Sequence, residues 1–487
     1  MINLIERAST HLNNIAIKSD GKAYSYAALL EKSRNIAAAL LAGRIDLKEA
    51  RVAFLVNPSF DYVAIQWGIW RAGGIAVPLC VKHPFESLKY VIEDTRAERI
   101  VFSDEYESLI SGFQSVALTS IDEIETQKSD LPDIDMARRA MILYTSGTTG
   151  SPKGVVTTHQ NIEAQITSLT EAWEWNKKDR ILNVLPLHHI HGIINATCCP
   201  LWAGACVEFL PKFNPEAIFD VFCEKQVNLF MAVPTIYFKL IAAWKELPKT
   251  KQVEVSKALS QFRFMVSGSA ALPISVLEQW QTISGHILLE RYGMTEMGMA
   301  ISNPLHGERK PGYIGQALPN VTVRLADDND ELIETGEGEI QIKGPNVFIE
   351  YWQKPEATKE TFTSEGWFKT GDVAVFENGA YRILGRNSVD IIKSGGYKIS
   401  ALEIEEVLRK YLGIKDCGVV GIDDAEWGEL VVASLIANEN EIDLKALNTW
   451  LKDKLPNYKM PRKYIFQEDL PRNVMGKVTK NELKKLF

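Results

Sequence analysis

The residues best suited to chemistry stand together in one stretch, Tyr144-Thr145-Ser146-Gly147-Thr148-Thr149-Gly150-Ser151-Pro152-Lys153-Gly154. An apolar run precedes it and the β-branched run Val155–Thr158 follows it, so the pattern predicts a strand, a tight loop and a strand. Its three glycines permit positive φ, which lets backbone N–H groups turn toward one point, and the hydroxyls and Lys153 add donors. Such a loop could wrap a polyphosphate, and the alternative is a plain Gly/Ser/Thr hairpin. It is not a Walker loop, because that motif places Gly-Lys-Ser/Thr at the start of a helix.

Two more motifs could complete a nucleotide site. Glu290-Arg291-Tyr292-Gly293-Met294-Thr295-Glu296 offers an aromatic face for a base at Tyr292 and a hard oxygen ligand at Glu296. Mg²⁺ is usually bound by one or two carboxylates together with substrate phosphates. Gly366-Trp367-Phe368-Lys369-Thr370-Gly371-Asp372 ends in a carboxylate that can accept two hydrogen bonds from the cis-diol of a ribose. Either stretch alone is more typical of a turn, but after a phosphate loop the nucleotide interpretation is favoured.

Taken in this order, the motifs resemble those of the acyl-adenylate-forming enzymes, a superfamily of acyl-CoA synthetases, peptide-synthetase adenylation domains and luciferases. The resemblance covers essentially the whole chain and extends to Gly385-Arg386 and to Pro471-Arg472-Asn473-Val474-Met475-Gly476-Lys477-Val478. It implies that Arg386 contacts ribose and phosphate, and that Lys477 is the lysine of a mobile domain that assists adenylation. Ser388 stands at the position of the family's hinge, where many relatives carry Asp or Lys, so the electrostatics of the hinge stay open.

The resemblance also assigns a set of site residues. Lys477, Glu296 and Thr148 are predicted to be catalytic, with Glu296 and Thr148 holding Mg²⁺. The loop Lys393, Ser394, Gly395 and Gly396 is predicted to bind coenzyme A, and a plain Gly-Gly hairpin is compatible with that role. The residues predicted to bind ATP are Thr145, Ser146, Gly147, Thr148, Thr149, Gly150, Lys153, Gly268, Ser269, Ala270, Glu290, Tyr292, Gly293, Met294, Thr295, Asp372, Arg386 and Lys477.

The acid substrate is indicated by Arg291. Within the superfamily, the stretch Arg263–Pro273 followed by Glu290–Glu296 is most similar to malonyl-CoA and methylmalonyl-CoA synthetases, whereas most fatty-acid relatives carry a neutral residue before the tyrosine. A free distal carboxylate in a closed pocket needs a cation, and arginine binds it bidentately. The alternative for Arg291 is an ion pair with Glu290 or a place on the surface at the end of a strand.

Other residues complete the predicted acid pocket. Where malonyl-type relatives carry a second arginine after the Val-Pro-Thr turn, this chain has Lys239. His189, His191 and Ser267 are also assigned to the pocket. A metal site at the histidines is disfavoured, because no acidic or cysteine partner is spaced nearby.

The predicted function is an ATP-dependent acid–CoA ligase that forms acyl-CoA, AMP and pyrophosphate through an acyl-adenylate. The predicted acid is malonate or methylmalonate, and the enzyme is expected to use ATP, Mg²⁺ and coenzyme A. One alternative is a short- or medium-chain fatty acyl-CoA synthetase. Another is an adenylation enzyme that loads a carrier protein in trans. A nucleotide-sensing module without catalysis is disfavoured, since Lys477 and Glu296 are both present.

Length and composition set the frame for these motifs. With 487 residues the chain is too long for one core, and a net charge of −8 argues against nucleic acid or an anionic membrane as a partner. The six cysteines form no CxxC pair, so reduced thiols are predicted. No apolar run reaches the ~18 residues of a membrane helix and no signal peptide is evident, so a cytoplasmic protein is expected. We expect it to be a monomer or a weak dimer.

The elements that must position the motifs alternate between strand and helix, which predicts an α/β fold of layered subdomains. Strands dominate from Val321 to Ile383, so a β-rich subdomain is expected there. A polar break then precedes a compact tail of mixed strands and helices. We predict an N-terminal ATP- and acid-binding domain over residues 1–387 and a small mobile α+β lid over 388–487, with the hinge at Ser388.

Overall fold

The structure, a computed structural model, describes residues 2–114, 116–124, 129–145, 152–210, 212–387, 389–395, 397–472 and 477–487. Its strands are, in chain order, β1 (Ile15–Ser19), β2 (Lys22–Ser25), β3 (Arg51–Leu55), β4 (Ile75–Pro78), β5 (Arg99–Phe102), β6 (Ala117–Ser120), β7 (Arg139–Thr145), β8 (Lys153–Thr158), β9 (Arg180–Asn183), β10 (Cys206–Phe209), β11 (Leu229–Ala232), β12 (Phe264–Ser267), β13 (Leu289–Met294), β14 (Gly298–Ser302), β15 (Gln316–Ala317), β16 (Thr322–Ala326), β17 (Glu337–Lys343), β18 (Glu350–Tyr351), β19 (Phe368–Glu377), β20 (Ala380–Arg386), β21 (Ile391–Ser394), β22 (Tyr397–Ser400), β23 (Asp416–Asp424), β24 (Gly428–Ile436) and β25 (Lys463–Gln467).

The helices lie between these strands. They are α1 (Asn3–Ala8), α2 (Tyr26–Leu41), α3 (Phe60–Arg71), α4 (Phe85–Thr95), α5 (Glu107–Ile110), α6 (His159–Ala172), α7 (Cys199–Trp202), α8 (Pro215–Cys223), α9 (Pro234–Glu246), α10 (Lys249–Leu259), α11 (Ile274–Ser284), α12 (Pro355–Thr361), α13 (Ala401–Leu408), α14 (Leu444–Lys452) and α15 (Lys480–Lys484), with a π-helix over His191–Cys198. Among the described residues, every helix is too short or too polar to span a bilayer.

Two large sheets with parallel centres form the first part of the chain. One has the strand order β18-β8-β7-β4-β3-β5-β6, and the other has the order β15-β14-β13-β12-β11-β9-β10-β1-β2. Their central strands are apolar and buried along their whole length, as in Leu229–Ala232 and Phe264–Ser267, because helices cover both faces of a parallel sheet. The predicted layered α/β architecture is confirmed.

A separate antiparallel sheet follows, with the order β16-β17-β19-β20, and confirms the β-rich subdomain. Strand β19 begins at Phe368, so Asp372 lies inside the strand and not in a turn. Across the sheet Asp372 is paired in register with Arg386 of β20. The strand pairing thus brings together two residues that the sequence separates by a hairpin.

The tail forms its own sheet of β22, β21, β24 and β23, with β25 added beside β24. Helices α13 and α14 pack on it through a core that includes Ile404, Leu408, Leu447 and Leu451. Ser388 lies outside the described residues, so the domain boundary there stays a prediction.

Helix α9 and the π-helix were not among the elements expected from the sequence. Strand β11 ends at Ala232, and α9 begins at Pro234, the residue of the Val-Pro-Thr turn, because proline suits the first position of a helix. The π-helix starts at the predicted pocket residue His191, two residues after His189, and is buried throughout. Such wide turns are frequent at functional sites.

Candidate active site

The two strands of the predicted phosphate loop form an antiparallel pair, with Thr145 opposite Lys153 at its open end. The strand–loop–strand prediction is therefore confirmed for both strands. Ser146, Gly147, Thr148, Thr149 and Gly150 lie outside the described residues, so their predicted phosphate contacts, and the metal contact of Thr148, stay predictions.

Glu296 is buried close to this loop. The hydroxyl of Tyr351 donates a hydrogen bond of 2.9 Å to Glu296 Oε1, and the ammonium of Lys153 lies 4.9 Å from the centroid of the Tyr351 ring. Tyr351 thus connects the end of the phosphate loop to the predicted metal ligand. No motif in the sequence points to Tyr351, which reaches the site because β18 pairs with β8.

The surroundings of Glu296 suit a metal ion that is bound mainly through substrate phosphates. Burial raises the pKa of Glu296, and a divalent cation would favour its ionised form. Within the described part of the chain, no group of three His, Cys, Asp or Glu side chains could hold a metal ion by itself. Mg²⁺ at Glu296 would take its remaining ligands from phosphates and water, which is its usual behaviour.

Tyr292, Asp372 and Arg386 form one cluster. Tyr292 donates a hydrogen bond of 2.6 Å to Asp372 Oδ2, and Arg386 Nε donates one of 2.9 Å to Asp372 Oδ1. Burial raises the pKa of the Tyr292 hydroxyl well above its usual value, so the group remains a donor at neutral pH. Three residues predicted to hold the nucleoside are therefore brought into direct contact, and the carboxylate is fixed from both sides.

The remaining predicted ATP contacts follow two parallel neighbours, β12 and β13. Gly268, Ser269 and Ala270 come directly after β12, and Ser269 has φ 71°, a left-handed conformation. Glu290 in β13 accepts a hydrogen bond of 3.2 Å from the Gly312 N–H, and burial raises its pKa to about 8. Gly293, Met294 and Thr295 lie at the end of β13, each half-buried.

Arg291 is only 4% exposed and faces Gly268, Ser269 and His191. Its Nη2 donates to Ser269 Oγ over 3.4 Å, and the same hydroxyl lies 3.3 Å from His191 Nδ1. A Cβ at position 268 would lie 2.3 Å from the Arg291 Cζ atom, so any larger residue there would displace the guanidinium. Burial lowers the pKa of Arg291 to about 9, which still leaves the guanidinium charged at neutral pH.

The ion pair between Arg291 and Glu290 is not formed. Both residues lie in β13, where successive side chains point to opposite faces, and Glu290 bonds to Gly312 instead. Among the described residues, no carboxylate forms an ion pair with Arg291, and burial is the cause of its pKa shift. The surface alternative is also wrong, because the side chain is buried.

Several polar atoms of the predicted acid pocket are buried without a hydrogen-bond partner in the described part of the chain. They are Ser267 Oγ, His189 Nε2, His191 Nε2 and Arg291 Nε. Burial lowers the pKa of His189 to about 4 and holds that of His191 well below its usual value, so both rings are neutral at neutral pH. Buried polar groups in proteins are normally satisfied, so this group of orphaned atoms indicates the place of a polar ligand.

Lys239 is placed differently from these residues. It is exposed on α9, and its ammonium lies 5.7 Å from the centroid of the Phe213 ring. No described contact joins it to Arg291. Its part in acid binding stays a prediction.

The tail carries the remaining predicted residues. Lys393 and Ser394 end β21, and Gly395 follows with φ 56° and donates from its N–H to the Trp427 carbonyl at 2.8 Å. Trp427, which no motif indicates, covers Gly395, while Gly396 and Ser388 lie outside the described residues. Lys477 is exposed beside the bridge between Arg472 and Val478.

Two family profiles match the chain. The profile described as AMP-binding enzyme matches residues 4–352, and that of the AMP-binding enzyme C-terminal domain matches residues 403–477. The chain is 45% identical to the mitochondrial malonate–CoA ligase of Xenopus laevis over 476 residues, covering 89% of this chain and 82% of the relative.

Solved structures are similar over the whole chain. ATP-bound MatB from Rhodopseudomonas palustris has a TM-score of 0.91 at 32% identity, covering 100% of this chain and 98% of that one. The o-succinylbenzoate coenzyme A synthetase from Bacillus subtilis, in complex with ATP and magnesium ion, has a TM-score of 0.86 at 27% identity, with 99% of each chain covered.

Proposed function

The chain belongs to the AMP-binding enzyme family, and from that premise we propose that it is an ATP-dependent malonate–CoA ligase. ATP and malonate, or its 2-methyl derivative, form an acyl-adenylate and pyrophosphate. The thiol of coenzyme A then takes the acyl group, and AMP leaves. The similarity to malonate–CoA ligases over most of the chain supports this assignment.

One observation carries the choice of acid, namely a buried guanidinium without a described carboxylate partner. Arg291 lies beside Ser269 and His191, and orphaned polar atoms belong to the same pocket. Leaving a charge buried without a counter-ion is costly, so the site favours a ligand that supplies an anion. Malonate has one carboxylate for Arg291 and a second for the reaction with ATP.

In the first half-reaction, the second carboxylate attacks the α-phosphate of ATP and pyrophosphate leaves. Lys153 and the backbone of the preceding loop would hold the phosphates, and the Asp372 cluster would hold the ribose. Mg²⁺ at Glu296 would neutralise the charge that develops on the phosphates. Lys477 would stabilise the negative charge around the α-phosphate as the bond forms.

In the second half-reaction, the thiol of coenzyme A attacks the acyl carbonyl and AMP is the leaving group. The tail would rotate about Ser388 and exchange Lys477 for the loop that starts at Lys393. The φ of 56° at Gly395 gives this loop a sharp bend beside Trp427. Two domains that close over one site would also protect the acyl-adenylate from water.

A panel of acids tests the proposal. Malonate, methylmalonate, butyrate and hexanoate are each supplied with ATP, Mg²⁺ and coenzyme A, and AMP formation is measured. We expect malonate or methylmalonate to exceed the monocarboxylates by roughly 10²-fold or more in kcat/KM, because a monocarboxylate leaves Arg291 unpaired. A preference for hexanoate would assign the chain to the fatty acyl-CoA synthetases instead.

The acceptor is tested in the same assay. AMP formation that needs coenzyme A supports the ligase, whereas rapid turnover only with a phosphopantetheinyl carrier protein would support loading in trans. A cytoplasmic location and a monomeric or weakly dimeric state remain predictions.

A further inference from the structure

Six charged side chains of the tail form a connected network, which we call the lid ion network. It consists of Arg472, Asp416, Arg409, Glu405, Lys480 and Asp390. Three are cations and three are anions, and Arg472 also lies 3.7 Å from the exposed carboxylate of Asp469. We propose that this network is a positioning device for Lys477, and that Lys480 is its central residue.

Lys480 is the most enclosed cation of the network, with 8% of its side chain exposed. Its ammonium bonds to Glu405 Oε1 and, over 2.6 Å, to the Val419 carbonyl, and it lies 3.6 Å from Asp390 Oδ1. Burial alone would lower the pKa of Lys480, but Glu405 and Asp390 raise it. The ammonium is therefore charged and fully committed to partners within the tail.

Residues of the network stand on both sides of Lys477 in the sequence, at Arg472 and Lys480, and we call residues 472–480 the Lys477 segment. A bridge between Arg472 and Val478 and a bond of 2.8 Å from the Thr479 N–H to the Pro471 carbonyl close the base of this segment. At its start Arg472 bonds to Asp416 Oδ2 over 2.5 Å, and at its end Lys480 bonds to Glu405. Both ends of the Lys477 segment are thus held by charged side chains.

Arg409 joins the two ends. Its Nε donates to Asp416 Oδ1 over 3.0 Å, and its Nη2 lies 3.4 Å from Glu405 Oε2. Glu405 also accepts a bond of 2.8 Å from the Val419 N–H, so its position is fixed by α13 and β23 together. The Lys477 segment is therefore connected through Glu405 to helix α13 and strand β23 of the tail.

Asp390 extends the network toward the predicted hinge. One of its carboxylate oxygens faces Lys480, and the other accepts a bond of 3.1 Å from the Arg386 N–H. The Arg386 side chain in turn bonds to Asp372 of the nucleoside cluster. A chain of direct contacts therefore leads from the Lys477 segment across the hinge to the ATP site.

Apolar packing holds this segment through one small cluster. Helix α15 has five residues, and a helix of this length is not stable by itself. Its buried apolar residue Leu483 packs with Leu470, Val420 and Val432, and the partly buried Val478 and Phe487 pack against the same cluster. The ionic contacts add a directional restraint to this packing.

The test rests on the proposed function, because it uses the two half-reactions of a ligase. Lys480→Met is compared with the unmutated enzyme in malonate-dependent exchange of pyrophosphate into ATP and in transfer from supplied malonyl-AMP to coenzyme A. We expect the rate of exchange to fall by about tenfold to 10²-fold, because small misplacements of reacting groups cause losses of this size. The rate of transfer should stay within about threefold of that of the unmutated enzyme. Lys477 is needed in the first half-reaction and not in the second.

The matched control is Lys485→Met, which removes an exposed lysine from the turn that follows the same helix. It should leave both half-reactions unchanged. Equal losses in both half-reactions of Lys480→Met, or no loss in either, would refute the positioning role and leave the network as part of the core of the tail.

A second variant covers the case in which Lys480→Met does not fold. The side chain of Arg472 is 28% exposed, so Arg472→Met removes the contact with Asp416 with less disruption of the core. The same selective loss of exchange is expected. Equal damage to both half-reactions in this variant would refute the proposal. If the unmutated enzyme shows no exchange with malonate, the proposed function is wrong. If exchange is normal and neither variant affects it selectively, only the positioning role of the lid ion network is refuted.

Discussion

Arg291→Met should remove the preference for a dicarboxylate without unfolding the protein. Methionine keeps an unbranched, flexible side chain but lacks the guanidinium atoms that lie over Gly268, so the substitution leaves space there and introduces no clash. The distal carboxylate of malonate would lose its cation, and breaking a buried ion pair costs about 3–5 kcal/mol. At ~1.4 kcal/mol per tenfold, kcat/KM for malonate should fall by roughly 10²-fold to 10³-fold or more.

The free protein should respond in the opposite direction. Arg291 has no ion-pair partner among the described residues, and its bond to Ser269 is long at 3.4 Å. Removing a buried charge that lacks a counter-ion does not destabilise a fold, and often stabilises it. The melting temperature of Arg291→Met should therefore be equal to or above that of the unmutated protein.

The assay measures kcat/KM for malonate and for butyrate as AMP released in the presence of coenzyme A, together with thermal unfolding. Butyrate should gain relative to malonate in Arg291→Met. Arg291→Lys is the matched control, since it keeps the charge but loses the bidentate fork, and its loss on malonate should be intermediate. A large drop in melting temperature with the acid preference intact would show that the role of Arg291 is structural, and would refute the assignment of the acid pocket.

Three further variants test the ATP site. Lys477→Ala should reduce acyl-adenylate formation by roughly 10²-fold or more and leave transfer from supplied malonyl-AMP largely intact, and equal damage to both steps would contradict rotation of the tail. Glu296→Gln should raise the Mg²⁺ requirement. Because burial raises the pKa of Glu296, Mg²⁺ affinity in the unmutated enzyme should also weaken as the pH falls, and an unchanged Mg²⁺ titration in the variant would make Glu296 structural. Tyr292→Phe removes the 2.6 Å hydrogen bond to Asp372. Hydrogen bonds to charged groups are worth about 1.5–3 kcal/mol, so KM for ATP should rise about tenfold or more. KM for malonate should stay unchanged.

Much of the site could be recognised from local sequence. Glycines and hydroxyl residues between two apolar runs predicted the phosphate loop, and its two strands, Arg139–Thr145 and Lys153–Thr158, are present. These features depend on neighbours within a few residues, which a pattern of residue types records directly.

Residue types alone could not decide between alternatives for Arg291. Beside Glu290 in the sequence, it had an apparent ion-pair partner. The structure separates the two, because they alternate between the two faces of a strand. Only the parallel pairing of β12 with β13 brings Ser269 and Gly268 to the guanidinium.

What the sequence by itself determined about this protein is its family, its order of elements and the identity of the motifs. The tertiary structure decided which distant groups complete them, as when Tyr351 bonds to Glu296 or when Lys480 bonds to Glu405, 75 residues away. The physical reason is that hydrogen bonds and ion pairs are short-ranged, so they form wherever sheet register and packing bring donor and acceptor together. No local pattern encodes that register, and burial then fixes the energy of each pair.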